Sequence, residues 1–232
     1  FVPTDDIASL PLDAKKVISR RAAMELSKGA VINLGVGTPE GVANVAAEEG
    51  ISDLITMTSE SGAVAGIPMG GKAFGAVQNA WAVVEQGIQF DFYDGGGLDV
   101  TYLGLAEVDP IGNVNVSHFG TNVTGCGGFI NISQNTPNLV YCGTFTAGGL
   151  KEEVSNGKLT IVKEGRNKKF IKQVQQITFS GEYGAEIGQN VLYVTERAVF
   201  KLVKGGLKLI EVAPGIDVKK DILDQMEFEP IV

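Results

Sequence analysis

The chain has 232 residues, of which 44% are apolar and 20% are charged, so it is long and apolar enough to bury a large core and is not a disordered segment. Its formal net charge of −8 provides no basic surface for a phosphate backbone and excludes nucleic acid as an expected partner. We expect a cytoplasmic protein, because the sequence shows no secretory leader and no apolar run of about eighteen residues that could cross a membrane.

The first sixty residues predict alternating helices and strands. Residues 13–28 place apolar side chains at helical spacing, residues 30–34 and 51–59 are apolar runs typical of buried strands, and a second helix extends from Pro39 to about Glu49. This order is typical of a parallel sheet covered by helices. Residues 1–12, which contain two prolines and two adjacent aspartates, resemble a linker.

The remainder of the chain is richer in strands. Apolar runs predict strands at residues 100–105, 114–116, 139–142, 191–194, 198–202 and 207–212. The Lys- and Glu-rich residues 150–174 predict an exposed hairpin that turns at Gly157, and residues 91–97 are expected to form a glycine-rich turn. Together these elements predict an α/β fold, a mostly parallel sheet flanked by helices, in one domain that spans residues 13–232.

Glu60 is the residue whose setting most suggests chemistry. It follows a predicted buried strand and lies between Ser59 and Ser61, with Gly62 next. Small neighbours leave room for a large acyl group, and glycine allows the chain to turn away from the carboxylate. An ionised glutamate held in this way can act as a nucleophile. The local sequence alone favours an ordinary solvated turn residue.

Two glycine-rich loops are candidates for binding negative charge. Gly35 and Gly37 lie between a predicted strand and a predicted helix, where backbone N–H groups favour phosphate or carboxylate. The third glycine of the dinucleotide-binding pattern is missing, so tight-turn packing is the better local interpretation. Gly127 and Gly128 allow either close backbone packing or a backbone amide that stabilises a developing oxyanion.

The single histidine and the two cysteines do not indicate a site. A Ser-His-Asp hydrolase would need His118 as its base, but the sequence has no GxSxG turn, so a structural or surface histidine is the favoured interpretation. Cys126 and Cys142 have neither metal-ligand nor redox-pair spacing, which predicts no zinc site and fits a reducing compartment.

Six separated motifs give the strongest indication of function. They occupy residues 33–39, 58–62, 94–99, 125–129, 195–200 and 213–217. In this order they resemble the family I coenzyme A transferases, and the chain is similar over nearly its whole length to the β (C-terminal) half of the short-chain acetate and propionate type, with the CoA-transferase β-domain fold. The Ser-Glu-Asn-Gly signature of that family is Ser59-Glu60-Ser61-Gly62 here, so the role of its third residue does not carry over to Ser61.

The resemblance implies ping-pong transfer of CoA from a short-chain acyl-CoA to a free carboxylate. It makes Glu60 the nucleophile that carries a glutamyl-CoA thioester, and Gly128 the backbone oxyanion donor. CoA is then substrate and covalent intermediate, and no metal, ATP or resident cofactor is required. The residues expected to line the substrate and CoA cleft are Gly35, Val36, Gly37, Gly95, Gly96, Gly97 and Gly127.

The resemblance also implies a partner. The family builds its active site between two similar α/β halves, and no copy of the α half is found in this sequence. The chain is therefore expected to be inactive without an α subunit or the N-terminal half of the same enzyme, and to assemble into a higher homo-oligomer. The alternatives are an acyl-CoA hydrolase, a sugar-phosphate isomerase or ligand-sensing domain of the same fold, and a non-catalytic partner-binding subunit.

Overall fold

The computed structural model describes residues 9–69, 73 and 75–232, so residues 1–8 of the linker-like segment lie outside the described part. The described α-helices are α1 (Ala14–Ala23), α2 (Gly41–Glu48), α3 (Gln86–Asp94), α4 (Phe129–Gln134) and α5 (Gly181–Glu186). Short 3₁₀-helices lie at Ser52–Leu54 and Leu223–Gln225, and a π-helix lies at Val218–Ile222. The described strands are β1 (Val31–Leu34), β2 (Thr56–Thr58), β3 (Ala63–Val64), β4 (Ile67–Pro68), β5 (Val77–Gln78), β6 (Ala82–Val83), β7 (Val100–Gly104), β8 (Glu107–Val108), β9 (Val114–Asn115), β10 (His118–Phe119), β11 (Asn122–Val123), β12 (Asn138–Cys142), β13 (Thr146–Ala147), β14 (Lys151–Ser155), β15 (Lys158–Lys163), β16 (Asn167–Lys168), β17 (Asn190–Val194), β18 (Ala198–Val203) and β19 (Gly206–Val212).

A nine-stranded sheet forms the centre of the fold, in the order β19-β18-β17-β12-β7-β1-β2-β3-β6. The five strands from β17 to β2 are parallel, and the strands at both edges are antiparallel. The α/β fold with helices on a parallel sheet is confirmed, although the sheet as a whole is mixed. The chain adds β2 on one side of β1 and β7 on the other, so the strand order reverses between β1 and β7. Ligands of open α/β sheets bind beyond the carboxyl ends of the strands at such a reversal.

The sheet is buried on both faces. Along β12, Leu139 and Tyr141 belong to one apolar core, while Val140 and Cys142 belong to the other. This alternation follows from the two-residue period of a strand. The first core contains residues of α3 and α4, and the second contains residues of α1 and α2. Strands covered on both faces are nearly continuous apolar runs, which is why the sequence revealed β7, β12 and β17.

The helices differ more from the sequence predictions than the strands do. The helix expected at residues 13–28 ends at Ala23, because the N–H groups of Met24, Glu25 and Leu26 bond three residues back and tighten the chain into turns. The expectation of a turn at residues 91–97 is wrong for its first half, since Asp94 is the last residue of α3. Within the described residues, none of the helices is long and apolar enough to cross a bilayer.

Candidate active site

Glu60 lies in a tight turn just beyond the carboxyl end of β2. The Gly62 N–H donates to the Ser59 carbonyl at 2.9 Å, and the Ser59 N–H donates to the Ala63 carbonyl at 3.0 Å. Gly62 has φ +101°, and a Cβ there would collide with the carbonyl oxygen of Val84. Only glycine fits both conditions, so the expected role of Gly62 as the turning residue agrees with the geometry.

A buried hydrogen-bond network holds the strand end that carries Glu60. The Thr58 hydroxyl donates to the Ile32 carbonyl at 2.7 Å and accepts from the Tyr93 hydroxyl at 2.9 Å. The Asn33 side-chain amide donates to the same Tyr93 oxygen at 3.2 Å. These contacts join β1, β2 and α3 two residues before Glu60. Because the Thr58 hydroxyl both donates and accepts within this buried network, its contacts hold the end of β2 from which the glutamate leaves the strand.

The two serines beside Glu60 face each other and the loop that follows. Their hydroxyl oxygens are 2.9 Å apart, and the Ser61 hydroxyl donates to the Gly75 carbonyl at 2.6 Å. Ser61, the residue at which the signature departs from the family form, therefore makes specific side-chain hydrogen bonds in this fold. It ties the Glu60 turn to the segment that leads into β5.

The carboxyl group of Glu60 lies against the backbone of Gly128, the residue before α4. A Cβ added at Gly128 would lie 2.6 Å from Glu60 Oε2, so a side chain there would occupy the same space as the carboxyl group. Burial raises the pKa of Glu60 above its ordinary value, and hydrogen bonding from the Gly128 backbone acts in the opposite direction. Among the described residues, none forms an ion pair with Glu60. The structure thus brings together two of the residues singled out in the sequence.

Phe90 of α3 is the third group at this point. Its Cζ would lie 2.8 Å from the same Cβ added at Gly128, so Phe90 Cζ and Glu60 Oε2 are no more than about 5.4 Å apart, the sum of the two distances. The ring packs edge-on against Tyr93, with centroids 5.9 Å apart, and against one of the two cores. The carboxyl group therefore has a polar neighbour, an N–H group, and an apolar one, an aromatic ring.

The loop after β1 lies at the same edge of the sheet as Glu60. The Gly35 N–H donates to the Tyr102 carbonyl at 2.8 Å, and a Cβ there would come within 3.2 Å of the same oxygen. Gly35 is thus used for close packing of the backbone, the interpretation that the local sequence favoured. Val36 and Gly37 are exposed beyond it, beside the reversal between β1 and β7. They are placed where an open α/β sheet binds its ligands.

The loop at Gly95, Gly96 and Gly97 lies elsewhere. It immediately precedes β7, whereas Glu60 immediately follows β2, and these two strands run in the same direction in the sheet. The glycines are therefore at the amino edge and Glu60 is at the carboxyl edge. The expectation that this loop and the Gly35 loop line one cleft is wrong. Gly97 has a packing role instead, because a Cβ there would collide with the Phe92 ring.

The other residues considered in the sequence have ordinary surroundings. Gly127 is exposed with φ +51° beside Gly128, and such a backbone favours glycine. Cys126 and Cys142 are free thiols, and burial raises the pKa of Cys142 far above its usual range. His118 lies in β10, with its ring beside Gln175. Within the described part of the chain, no group of three or more His, Cys, Asp or Glu side chains is arranged to hold a metal ion.

A buried ionic cluster occupies the same edge of the sheet, beyond β12 and β17. Arg197 donates to Glu196 at 2.7 Å and to Glu164 at 2.8 Å, and its side chain is fully buried. Lys169 is 7% exposed and donates to the Thr144 carbonyl at 2.8 Å. Burial lowers the pKa of Lys169 to about 8. Glu196 and Arg197 belong to the motif at residues 195–200, but the sequence did not indicate that Glu164 and Lys169, which lie about thirty residues earlier, join them here.

Comparison with known proteins places these features in a family. The family model described as coenzyme A transferase matches residues 15–220. This chain belongs to the coenzyme A transferase family. It is 54% identical over 235 residues to the caffeate CoA-transferase of Acetobacterium woodii, a match that covers 99% of this chain and 45% of that protein.

The CoA-transferase relatives also show which part of the family fold is present. The crystal structure of the acyl-CoA transferase YdiF from Escherichia coli O157:H7 as a thioester complex with CoA has a TM-score of 0.90 and 50% identity, with 97% of this chain and 43% of that chain covered. The chain therefore spans less than half the length of these two relatives. The acetate CoA-transferase subunit beta of E. coli K12 is 30% identical over 224 residues, with 89% of each chain covered. The chain thus corresponds to the β half of a family I CoA-transferase.

Proposed function

We propose that this chain, together with an α-type half, transfers CoA from a short-chain acyl-CoA to a free carboxylate through a glutamyl-CoA thioester on Glu60. The observation that carries the proposal is the contact between the Glu60 carboxyl group and the Gly128 backbone at the carboxyl edge of the sheet. A relative with 50% identity whose crystal structure is a thioester complex with CoA supports the same chemistry.

In the first half-reaction, an ionised Glu60 oxygen attacks the thioester carbonyl carbon of acyl-CoA. The carbon–sulfur bond breaks, CoA leaves as its thiolate, and a mixed anhydride joins the acyl group to Glu60. The thiolate then attacks the glutamyl carbonyl carbon, the first acid leaves as a carboxylate, and the glutamyl-CoA thioester remains. A carboxylate is a modest nucleophile. Part of the acceleration therefore comes from the positioning of Glu60 by the hydrogen-bond network of Thr58, Tyr93 and Asn33.

In the second half-reaction, an acceptor carboxylate attacks the glutamyl thioester and regenerates the anhydride and the CoA thiolate. Attack of the thiolate on the acyl carbonyl releases the new acyl-CoA and restores the Glu60 carboxylate. The energy of the thioester bond is retained throughout, so the cycle needs no other source of energy. CoA is both substrate and covalent intermediate.

Gly128 has a defined role in this cycle. Attack on the glutamyl carbonyl places negative charge on the Glu60 carbonyl oxygen, and the Gly128 backbone already faces an oxygen of that carboxyl group. A donor that is in place before the charge develops stabilises the transition state without reorganisation. The Gly128 N–H is therefore proposed as the oxyanion donor contributed by this half.

The α-type half is proposed from the length of the relatives. Two of them extend well beyond the region that this chain matches, which covers 45% and 43% of their lengths. The β subunit from E. coli K12 is instead matched over 89% of its length. An α subunit or an N-terminal half of the same enzyme is therefore the proposed partner, and the chain alone is expected to lack turnover.

The decisive test is to trap the intermediate on the chain assembled with its α-type half. The enzyme is incubated with acetyl-CoA without an acceptor, and intact-mass spectrometry and peptide mapping then locate bound CoA. The expected result is one CoA on Glu60 in the wild type and none in Glu60→Gln, which keeps its fold but loses transfer to propionate. CoA on another residue would overturn the proposal. Free CoA and acetate without any Glu60 adduct would indicate an acyl-CoA hydrolase instead.

A further inference from the structure

Phe90 is a group of the candidate site that the reaction scheme leaves without a role. Its ring comes within about 5.4 Å of the Glu60 carboxyl group, the sum of the distances from the Gly128 Cβ position. It lies on the buried side of α3, packs against one core and is held edge-on by Tyr93. Tyr93 is itself anchored by hydrogen bonds to Thr58 and Asn33. The position of the ring is therefore fixed by the same network that fixes Glu60.

An apolar side chain next to the glutamyl-CoA thioester would protect this intermediate from water. The intermediate must wait for an acceptor carboxylate, and during that time water can attack the glutamyl carbonyl in its place. That attack forms a carbon–oxygen bond, breaks the carbon–sulfur bond and releases CoA as the thiol, with the Glu60 carboxyl group restored. Each such event loses the thioester without any transfer. Excluding water from a reactive intermediate is a known function of closed sites.

We propose that Phe90 keeps water away from the glutamyl carbonyl and thereby favours transfer over hydrolysis. This inference rests on the proposed function. Phe90 is assigned as a positioning and excluding residue, since it forms no bond in the reaction. The ring and the Glu60 carboxyl group both border the space that a Cβ at Gly128 would fill, and the Gly128 backbone hydrogen-bonds that carboxyl group. Removal of the ring opens space for water next to the carbon that is attacked.

The test measures two rates on the enzyme assembled with its α-type half. Free CoA thiol released from acetyl-CoA without acceptor reports hydrolysis, and propionyl-CoA formed after addition of propionate reports transfer. We expect Phe90→Ala to raise the ratio of hydrolysis to transfer about tenfold or more, equivalent to about 1.4 kcal/mol in relative barrier height. We expect Phe90→Leu, which keeps an apolar side chain, to stay within about threefold of the wild type.

Phe92→Ala is the matched control. Phe92 is on the same helix, but its side chain is 43% exposed, and residues two apart on a helix face different directions. Its ratio is expected to equal that of the wild type. If Phe90→Ala does not fold, Phe90→Val replaces it, and the ratio should rise as the side chain becomes smaller from Phe to Leu to Val.

The outcomes separate the two proposals. If hydrolysis and transfer fall together in the Phe90 variants with an unchanged ratio, Phe90 has only a packing role and this inference is wrong, while CoA transfer through Glu60 stands. If the wild type shows no Glu60-dependent transfer, the proposed function itself fails. A second readout is the lifetime of the CoA adduct, followed by intact mass. It should be shorter in Phe90→Ala than in Phe92→Ala.

Discussion

At the scale of single residues, the space around Glu60 depends on the absence of a side chain at Gly128. The backbone of Gly128 has φ −79°, which any residue can adopt, so backbone conformation does not require glycine here. The requirement comes from the 2.6 Å that would separate an added Cβ from Glu60 Oε2. The sequence indicated both residues separately. It could not show that they touch, because their contact depends on how α4 packs beside the end of β2.

Gly128→Ala should therefore impair catalysis far more than folding. The methyl group displaces the carboxyl group from the N–H donor, so transfer should fall about a hundredfold or more, while the free energy of unfolding should change by only about 1 kcal/mol. Steady-state transfer and urea unfolding measure the two effects. Gly87→Ala is the control, since a Cβ at this helix position meets open space. Equal losses of activity in the two variants would contradict the proposed role of Gly128.

The pKa of Glu60 gives a second prediction at this scale. Burial raises this pKa above the ordinary value, and attack requires the ionised form. As the pH falls, kcat/KM for acyl-CoA should therefore begin to drop at a higher pH than an ordinary glutamate would give. A profile that stays flat down to the ordinary range of a carboxyl group would show that Glu60 is not the titrating nucleophile.

The same shift of the Glu60 pKa affects stability. The native state binds this proton more tightly than the unfolded state, so the contribution of Glu60 to the free energy of unfolding is present at low pH and is lost as the pH rises through the native pKa. Glutamine does not titrate, so the Glu60→Gln variant does not lose this stability as the pH rises. In urea unfolding, the stability of Glu60→Gln relative to the wild type should therefore increase from pH 4 to about pH 7.

At the scale of elements, the sequence predicted strands better than helices for a physical reason. The parallel strands are buried on both faces and show as apolar runs, whereas α3 has a misleading pattern. Its Ile88 is 55% exposed, while the polar Gln89 is only 2% exposed. Amphipathic periodicity therefore fails on the helix that carries Phe90 and Tyr93. Gln89 and Tyr93 are four residues apart, which is the spacing of one helix face. That spacing is the only sequence signal that places Gln89 with Tyr93 on the buried face of α3.

The ionic cluster beyond β12 and β17 gives a prediction about stability. Lys169 has a pKa of about 8 in the folded protein, below the ordinary 10.5, because burial disfavours its charge. Between these two values the unfolded chain binds a proton that the native state has lost, so the free energy of unfolding should rise with pH. The full shift corresponds to roughly 3 kcal/mol.

Lys169→Met should lack this rise and should be within about 1 kcal/mol of the wild type, or more stable, at pH 7, since an apolar side chain of similar length replaces a buried charge. Urea unfolding at pH 7 and at about pH 10 measures both. Lys168→Met is the control, because the neighbouring Lys168 is exposed, and it should show the same rise as the wild type. If Lys169→Met and Lys168→Met have the same pH dependence, Lys169 is not the group that titrates.

At the scale of the whole molecule, the candidate site lies near one edge of the central sheet. The Glu60 turn continues directly into β3, which pairs with β6 at one edge of the sheet. The side chains of Trp81 and Val83 at this edge are exposed, and Trp81 is 77% exposed. Contiguous exposed apolar surface is a feature of interaction sites, so this edge is the surface that we expect an α-type half to cover. The family resemblance in the sequence implied a partner, but the surface that would receive it depends on the sheet order.

Trp81 is the only tryptophan of the chain, which allows a direct test of where the proposed α-type half binds. The Trp81 backbone N–H donates to the Val64 carbonyl at 3.0 Å, so Trp81 lies beside the strand that follows the Glu60 turn. With 5-fluorotryptophan in this chain alone, addition of the α-type half should shift the single fluorine resonance. Trp81→Ala should weaken assembly about tenfold or more, as for buried aromatic anchors of interfaces. Met24→Ala, at the end of α1, should assemble normally. A stable complex with an unshifted resonance would place the α-type half on another surface.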